Sequence, residues 1–136
     1  MRLWHKDLIP YLPRQQLLGQ WRECCAIAKH IYETGLPNHI LVNRILYYFP
    51  EHFDVYADLV RTEMLSRGYK CDWDKFYKYR HCFSRGRTIS SHECFNDWHN
   101  DRYLRQCLYN LQEKYDCGGI SEEEWNIITD KFIVMS

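Results

Sequence analysis

The chain has 136 residues, with 18 Lys and Arg against 18 Asp and Glu, and is 46% hydrophobic and 26% charged. That length suits one domain able to bury roughly two-thirds of the surface its unfolded form exposes, and the composition excludes a disordered chain. No apolar run approaches the roughly 20 residues that span a bilayer, and nothing after Met1 reads as a targeting peptide. The seven cysteines, odd in number and without a CxxC, imply no disulfide framework and favour reduced thiols, so the expectation is a cytoplasmic protein with no membrane association.

In chain order, Pro13 stands where a first helical turn accepts proline. Leu17, Trp21, Cys24, Ala28 and Ile31 then recur at helical spacing, with Leu18 and Cys25 widening the stripe. This predicts a first long helix over about 13–33, stopped near Gly35. Pro37 opens a second helix through Ile40, Leu41, Ile45 and Tyr48. Pro50 opens a third, whose Phe53, Tyr56, Leu59, Val60 and Met64 face inward before an Arg67-Gly68 stop. Residues 69–95 lose the period, and their polar, basic and aromatic alternation predicts a long irregular loop or a short strand. The helical pattern returns from Asn96 to Tyr115 through Trp98, Leu104, Cys107, Leu108 and Leu111, and ends at Gly118-Gly119. Ser121 and Glu124 then form a capping box leading into Trp125, Ile128 and Phe132. The expected fold is all-α: a compact single-domain helical bundle with one long basic aromatic loop.

Net charge is zero, but its distribution is uneven. Residues 1–30 carry five basic side chains against two acidic, and residues 61–90 eight against three; the other two stretches are acidic. Two basic segments can fold into one positive face of the kind that docks on phosphates, or can be ordinary solvated surface. In the second segment Trp73, Phe76, Tyr77, Tyr79 and Phe83 interleave with Lys75, Lys78, Arg80, Arg85 and Arg87, a pattern in which cations track phosphates while rings stack on exposed bases. The bland alternative is a loop pinned by its aromatics with its charges in water. His39, just after the Pro37 start, is a candidate phosphate or groove contact. His81, Cys82, His92, Cys94, His99, Cys107 and Cys117 have no ligand pair at close zinc spacing, so no metal is expected.

Arg22 and Glu23 lie side by side on the first helix, where neighbours point about 100° apart, so one can face a groove while the other faces the core edge. Taken alone, the pair can equally be two surface charges. The opening MRLW and the segment PRQQLLGQWRECC, with MLSRGY at 64–69, resemble the pyrimidine dimer DNA glycosylase family, of the phage endonuclease V type. The likeness covers about half the chain. It implies a DNA repair enzyme in which a free amino-terminal amine attacks C1′ of a damaged nucleotide and a helix glutamate assists, with arginines holding the flanking phosphates. By that likeness Met1 supplies the amine, Glu23 is the acid-base group and cation stabiliser, and Arg22 is the arginine beside it. Arg2, Arg14, Gln15 and Gln16 are substrate holders. The chain departs from the phage pattern in having Met1 ahead of Arg2 where that type has a small threonine, and Gln16 where it has a histidine.

The chemistry is consistent with those parts. An α-amine, with a reference pKa of about 8, is partly neutral and nucleophilic near pH 7, where a lysine is not. The expected substrate is double-stranded DNA containing damaged pyrimidines, namely cyclobutane dimers. The expected activity is that of an N-glycosylase with an AP lyase step through a Schiff base, working as a monomer without metal or organic cofactor. The rival readings are a non-catalytic helical DNA-binding module, or a related glycosylase or nuclease for another modified base.

Overall fold

The computed structural model describes residues 2–37 and 39–133. After an extended segment, residues 2–5, a 3-10 helix Lys6–Tyr11 leads into α1 (Arg14–Thr34). A second 3-10 helix Ile40–Tyr47 follows, then α2 (Pro50–Ser66), α3 (Asp74–Arg80), α4 (Asp101–Asp116) and α5 (Glu122–Lys131). The described residues contain no strand, as an all-α fold requires.

Helix α1 forms as its stripe dictates. Leu17, Trp21, Cys24, Ile27, Ala28 and Ile31 are buried, Leu18 and Cys25 half-buried, and the helix stops where Gly35 takes a left-handed φ of 81°. It packs against α2 and α3. In α2 the ring of Phe53 meets Phe76 of α3 edge-on at 5.2 Å, and Tyr56, Val60 and Met64 complete the inward face. Each such side chain contributes roughly 1.5–3 kcal/mol by leaving water. The first 3-10 helix and the second both lie against α2, and α5 packs on α4. The capping box at Ser121 and Glu124 is present, and Trp125 and Ile128 are buried as the sequence predicts.

Three expectations are corrected. The helix expected from Pro37 is a 3-10 helix whose N-cap is His39, with Val42 and Ile45 buried while Ile40 and Leu41 face outward. The helix expected from Asn96 begins only at Asp101, because Asn100 caps it by accepting from the Tyr103 N–H, and residues 91–98 form tight turns instead. The long basic loop contains α3, too short for a periodicity window to detect. It is set by Trp73 stacking on Trp21 at 5.9 Å and by buried Phe76, with Asp74 in its first turn and Lys78 and Arg80 in its last, matching the helix dipole.

The remainder of that basic segment is tied to α2. The Glu51 carboxylate accepts from the Arg85 N–H at 2.7 Å, and Arg87 lies 3.8 Å over the Phe49 ring. Burial alone raises the Glu51 carboxyl, but the N–H donors of Arg85 and of its own backbone outweigh it and hold the group below its usual range. Behind this segment Phe95 is fully buried with φ 51°, a costly conformation for a bulky side chain, fixed by its N–H donating to His52 Nδ1 at 3.0 Å.

Candidate active site

The extended segment 2–5 runs into the fold with no strand beside it, so its backbone groups need other partners. Side chains from three helices supply them. Tyr56 of α2 donates its hydroxyl to the Trp4 carbonyl and Tyr103 of α4 to the Leu3 carbonyl. The Trp4 N–H donates to Gln20 Oε1 of α1 at 2.7 Å, and Gln20 Nε2 donates to the Arg2 carbonyl at 3.0 Å. Further on, the Lys6 N–H donates to His99 Nδ1 at 2.9 Å, while Lys6 Nζ is surrounded by the carbonyls of Ser91, His92 and Cys94.

At the start of this clamped segment lies Glu23. Its Oε2 accepts from the Arg2 backbone N–H at 3.4 Å and from Gln20 Nε2 at 3.4 Å. Gln20 and Glu23 are three positions apart and share one face of α1, with Gln20 wholly inside and Glu23 half-buried at the edge. The Arg2 guanidinium lies 5.5 Å from the Trp4 ring and 3.8 Å from Cys107 Sγ, and with Leu41, Tyr103 and Gln106 it lines a pocket of about 270 Å³. A carboxylate, a guanidinium and an open hollow thus meet at the beginning of the chain. Met1, the expected source of the amine, lies outside the described residues.

Arg22 is exposed, one position round the helix from Glu23, and its guanidinium folds back over Gly19, where a Cβ would stand 3.7 Å from Nη2. Gln15 is seven residues before Arg22 and is exposed on that outer face; Gln16 is seven before Glu23 and half-buried, its Oε1 without a partner among the described residues. Both are about 10 Å along the axis from the site. Arg14 is further still, its guanidinium 5.6 Å over Tyr69 and its N–H donating to Glu124. His39 caps its 3-10 helix by accepting from the Leu41 N–H, so it shapes the segment that brings Leu41 to the pocket.

The second basic set divides. Lys75 and Lys78 of α3 are exposed, and Lys75 is near enough to α1 to pull down the Cys25 thiol, though burial and Cys71 still push that thiol up to about 11. Arg85 and Arg87 are exposed on the anchored segment. Arg80 is corrected: it is 4% exposed, with Nε on Asp54 at 3.0 Å and Nη2 on the Pro50 carbonyl, leaving no face for a phosphate. A larger hollow of about 410 Å³ between α2 and α3 has both signs of charge in its wall, Asp54 and Asp58 with Arg80 and Arg87, beside Trp73 and Tyr77.

Sequence reasoning missed Gln20, Tyr56, His99 and Tyr103 as site residues. Gln20 alone carried a signal, a polar residue on the Leu17, Trp21, Cys24 stripe and one turn before Glu23. Burial pushes the thiols of Cys24, Cys71, Cys94 and Cys107 up, to about 12 for Cys94, so these are packing groups. Among the described residues no three His, Cys, Asp or Glu side chains converge as a metal cluster.

A family model described as pyrimidine dimer DNA glycosylase matches residues 1–76. The chain belongs to that family. The matched part of this pyrimidine dimer DNA glycosylase relative carries the clamped segment, α1 with Gln20 and Glu23, the Leu41 helix and Tyr56 of α2, and runs into α3. Tyr103 and His99, which complete the clamp, lie beyond the match. Neither a curated protein nor a solved structure matches the chain.

Proposed function

We propose that this member of the family is a DNA N-glycosylase for cyclobutane pyrimidine dimers, with the Met1 amine as nucleophile, Glu23 as its partner and an AP lyase step to follow. One observation carries the reading: the backbone N–H of Arg2, whose residue also lines a pocket with Leu41, Tyr103 and Gln106, donates to the Glu23 carboxylate at 3.4 Å. An amine one residue ahead of that N–H is tethered to the spot by a single peptide unit, about 3.8 Å between Cα atoms.

In this mechanism the amine nitrogen bonds to C1′ as the glycosidic C–N bond breaks, its electron pair leaving with the pyrimidine. Glu23 balances the positive charge that grows on the sugar. The C1′–O4′ bond then opens to give an iminium, and O4′ takes a proton. Glu23, acting as base, removes a C2′ proton, and the 3′ phosphate leaves in β-elimination. Water releases the imine. Arg2 and Arg22 neutralise phosphates flanking the lesion, with Lys75, Lys78, Arg85 and Arg87 extending the contact along the backbone. Exposing C1′ requires local unstacking, which costs least where damage has already weakened the stack.

Borohydride trapping on a dimer-containing duplex tests this. The protein is expected to become covalently linked to DNA, an amino-terminal extension to prevent it, and Glu23→Gln to lower turnover at least about 100-fold while binding persists. No adduct from the unmodified protein, or an unchanged rate in Glu23→Gln, overturns the reading.

A further inference from the structure

The amide of Gln20 uses its entire hydrogen-bonding capacity at one point of the molecule. Oε1 accepts from the Trp4 N–H at 2.7 Å and, in a three-centre contact at 3.0 Å, from the Tyr56 hydroxyl, whose one proton is shared with the Trp4 carbonyl. Nε2 donates twice, to the Arg2 carbonyl at 3.0 Å and to Glu23 Oε2 at 3.4 Å. Two acceptor sites and two N–H donors are all that a glutamine side chain offers. Reversing the amide would turn N–H groups toward the Trp4 N–H and oxygen toward the Arg2 carbonyl, so its orientation is determined. With 1% of its surface exposed, no water substitutes for any of the four.

A side chain buried only for stability needs satisfied partners, and these partners could belong to any groups. Here they are the two sides of the proposed reaction centre: the backbone on both sides of residue 3, and the carboxylate that faces the chain start. Gln20 therefore sets the distance between them. A lateral error of about 1 Å in a reacting group costs on the order of 100-fold in rate, and the one Gln20 Nε2 bonds both the Arg2 carbonyl and Glu23.

We infer that Gln20 is a positioning residue for the amine chemistry, holding the amino-terminal segment and the Glu23 carboxylate in register, with Tyr56 fixing Gln20 from behind. This rests on the amine-nucleophile reading above and adds to it the group that determines the geometry of the pair.

The test uses the whole protein and a duplex with a preformed abasic site, so that base release is bypassed and imine formation is read directly by borohydride trapping across pH. Gln20→Met removes all four bonds at similar volume and is expected to trap about 100-fold more slowly, with the Trp4 amide losing its protection from hydrogen exchange. Gln20→Glu keeps the acceptor toward Trp4 and Tyr56 but sets a second carboxylate beside Glu23. Its trapping is expected to be slow and its pH profile to move to higher pH, because added negative charge stabilises the protonated amine. Tyr56→Phe, the mildest change, is expected to lose about 10-fold. Ile128→Ala, a buried change in α5, is expected to lower Tm without moving the trapping rate or its pH profile, which separates positioning from general destabilisation. Wild-type trapping rates and pH profile in both Gln20 variants overturn the inference while leaving the amine mechanism standing. A wild-type protein that never traps removes the amine mechanism, and the inference with it.

Discussion

Arg80 and Lys78 differ by two positions and by fate. Lys78 stays in water with its ammonium 5.0 Å over the Tyr79 ring, whereas the Arg80 guanidinium is enclosed with Asp54. Burial raises the Asp54 carboxyl above its usual value despite the attraction of Arg80, so desolvation outweighs the pair's own attraction. Removing one partner should therefore cost more than removing both. Arg80→Met is expected to destabilise by about 3 kcal/mol in urea, and adding Asp54→Leu to restore most of that loss. DNA affinity should keep its salt slope in the single variant, whereas Lys75→Ala should flatten the slope by about 1. A salt slope that falls in Arg80→Met would return that side chain to the phosphate-binding set. Its burial was not legible in the sequence: an arginine among lysines reads as surface, and only the short α3 turns it inward. Glu23 stands out in the sequence as a candidate because its neighbours form a recognisable string, while Gln20, inside the same string, reads as a neutral helix residue until its four partners are seen.

At the scale of elements, the sequence was informative where an element is long or closed by a cap. Helices α1, α2 and α5 begin and end within a residue or two of expectation, since their apolar stripes span several turns and Gly35, Gly68 and Ser121 mark their boundaries. The 3-10 helices and α3 were obscure because they are short and owe their form to neighbours: Phe76 to Trp21 and Phe53, and both 3-10 helices to α2. The capping box of α5 gives a test of local encoding. Ser121→Ala, which removes the acceptor for the Glu124 N–H at 3.1 Å, is expected to cost about 1 kcal/mol in thermal or urea unfolding, and Ser121→Asp to cost almost nothing. An equal loss in both variants would mean that packing of Trp125 on Tyr115, rings 5.3 Å apart, sets the start of α5 instead.

For the whole molecule, three buried or half-buried histidines couple folding to pH. His5, His52 and His99 each accept a backbone N–H at Nδ1, from Asp7, Phe95 and Lys6, which requires that nitrogen to be unprotonated. Burial lowers all three, His99 to about 2 with help from His5 and Lys6. In the unfolded chain each binds a proton below about 6.5, while the folded protein resists doing so. Stability from this source is complete above that pH and is lost as pH falls, for His99 all the way to about 2. The expected slope is about 1 kcal/mol per pH unit from His99 alone between pH 6 and 4, read from urea melts. In His99→Asn, whose Oδ1 replaces the acceptor, the slope should shrink. A profile unchanged by that substitution would sink the assignment.

The same clamp imposes an order on biogenesis. The Leu3 carbonyl bonds a tyrosine 100 residues downstream and the Lys6 N–H a histidine 93 residues downstream. On the ribosome these opening residues emerge early yet find their last partners only after α4 has been synthesised. A nascent polypeptide cut short before that helix contains Glu23, Gln20 and Tyr56 but lacks the Tyr103 bond to Leu3 and the rest of α4 that complete the seat of the opening segment. Under the mechanism proposed above, a capacity to break DNA strands would then arise only near the end of translation, in molecules that have already folded.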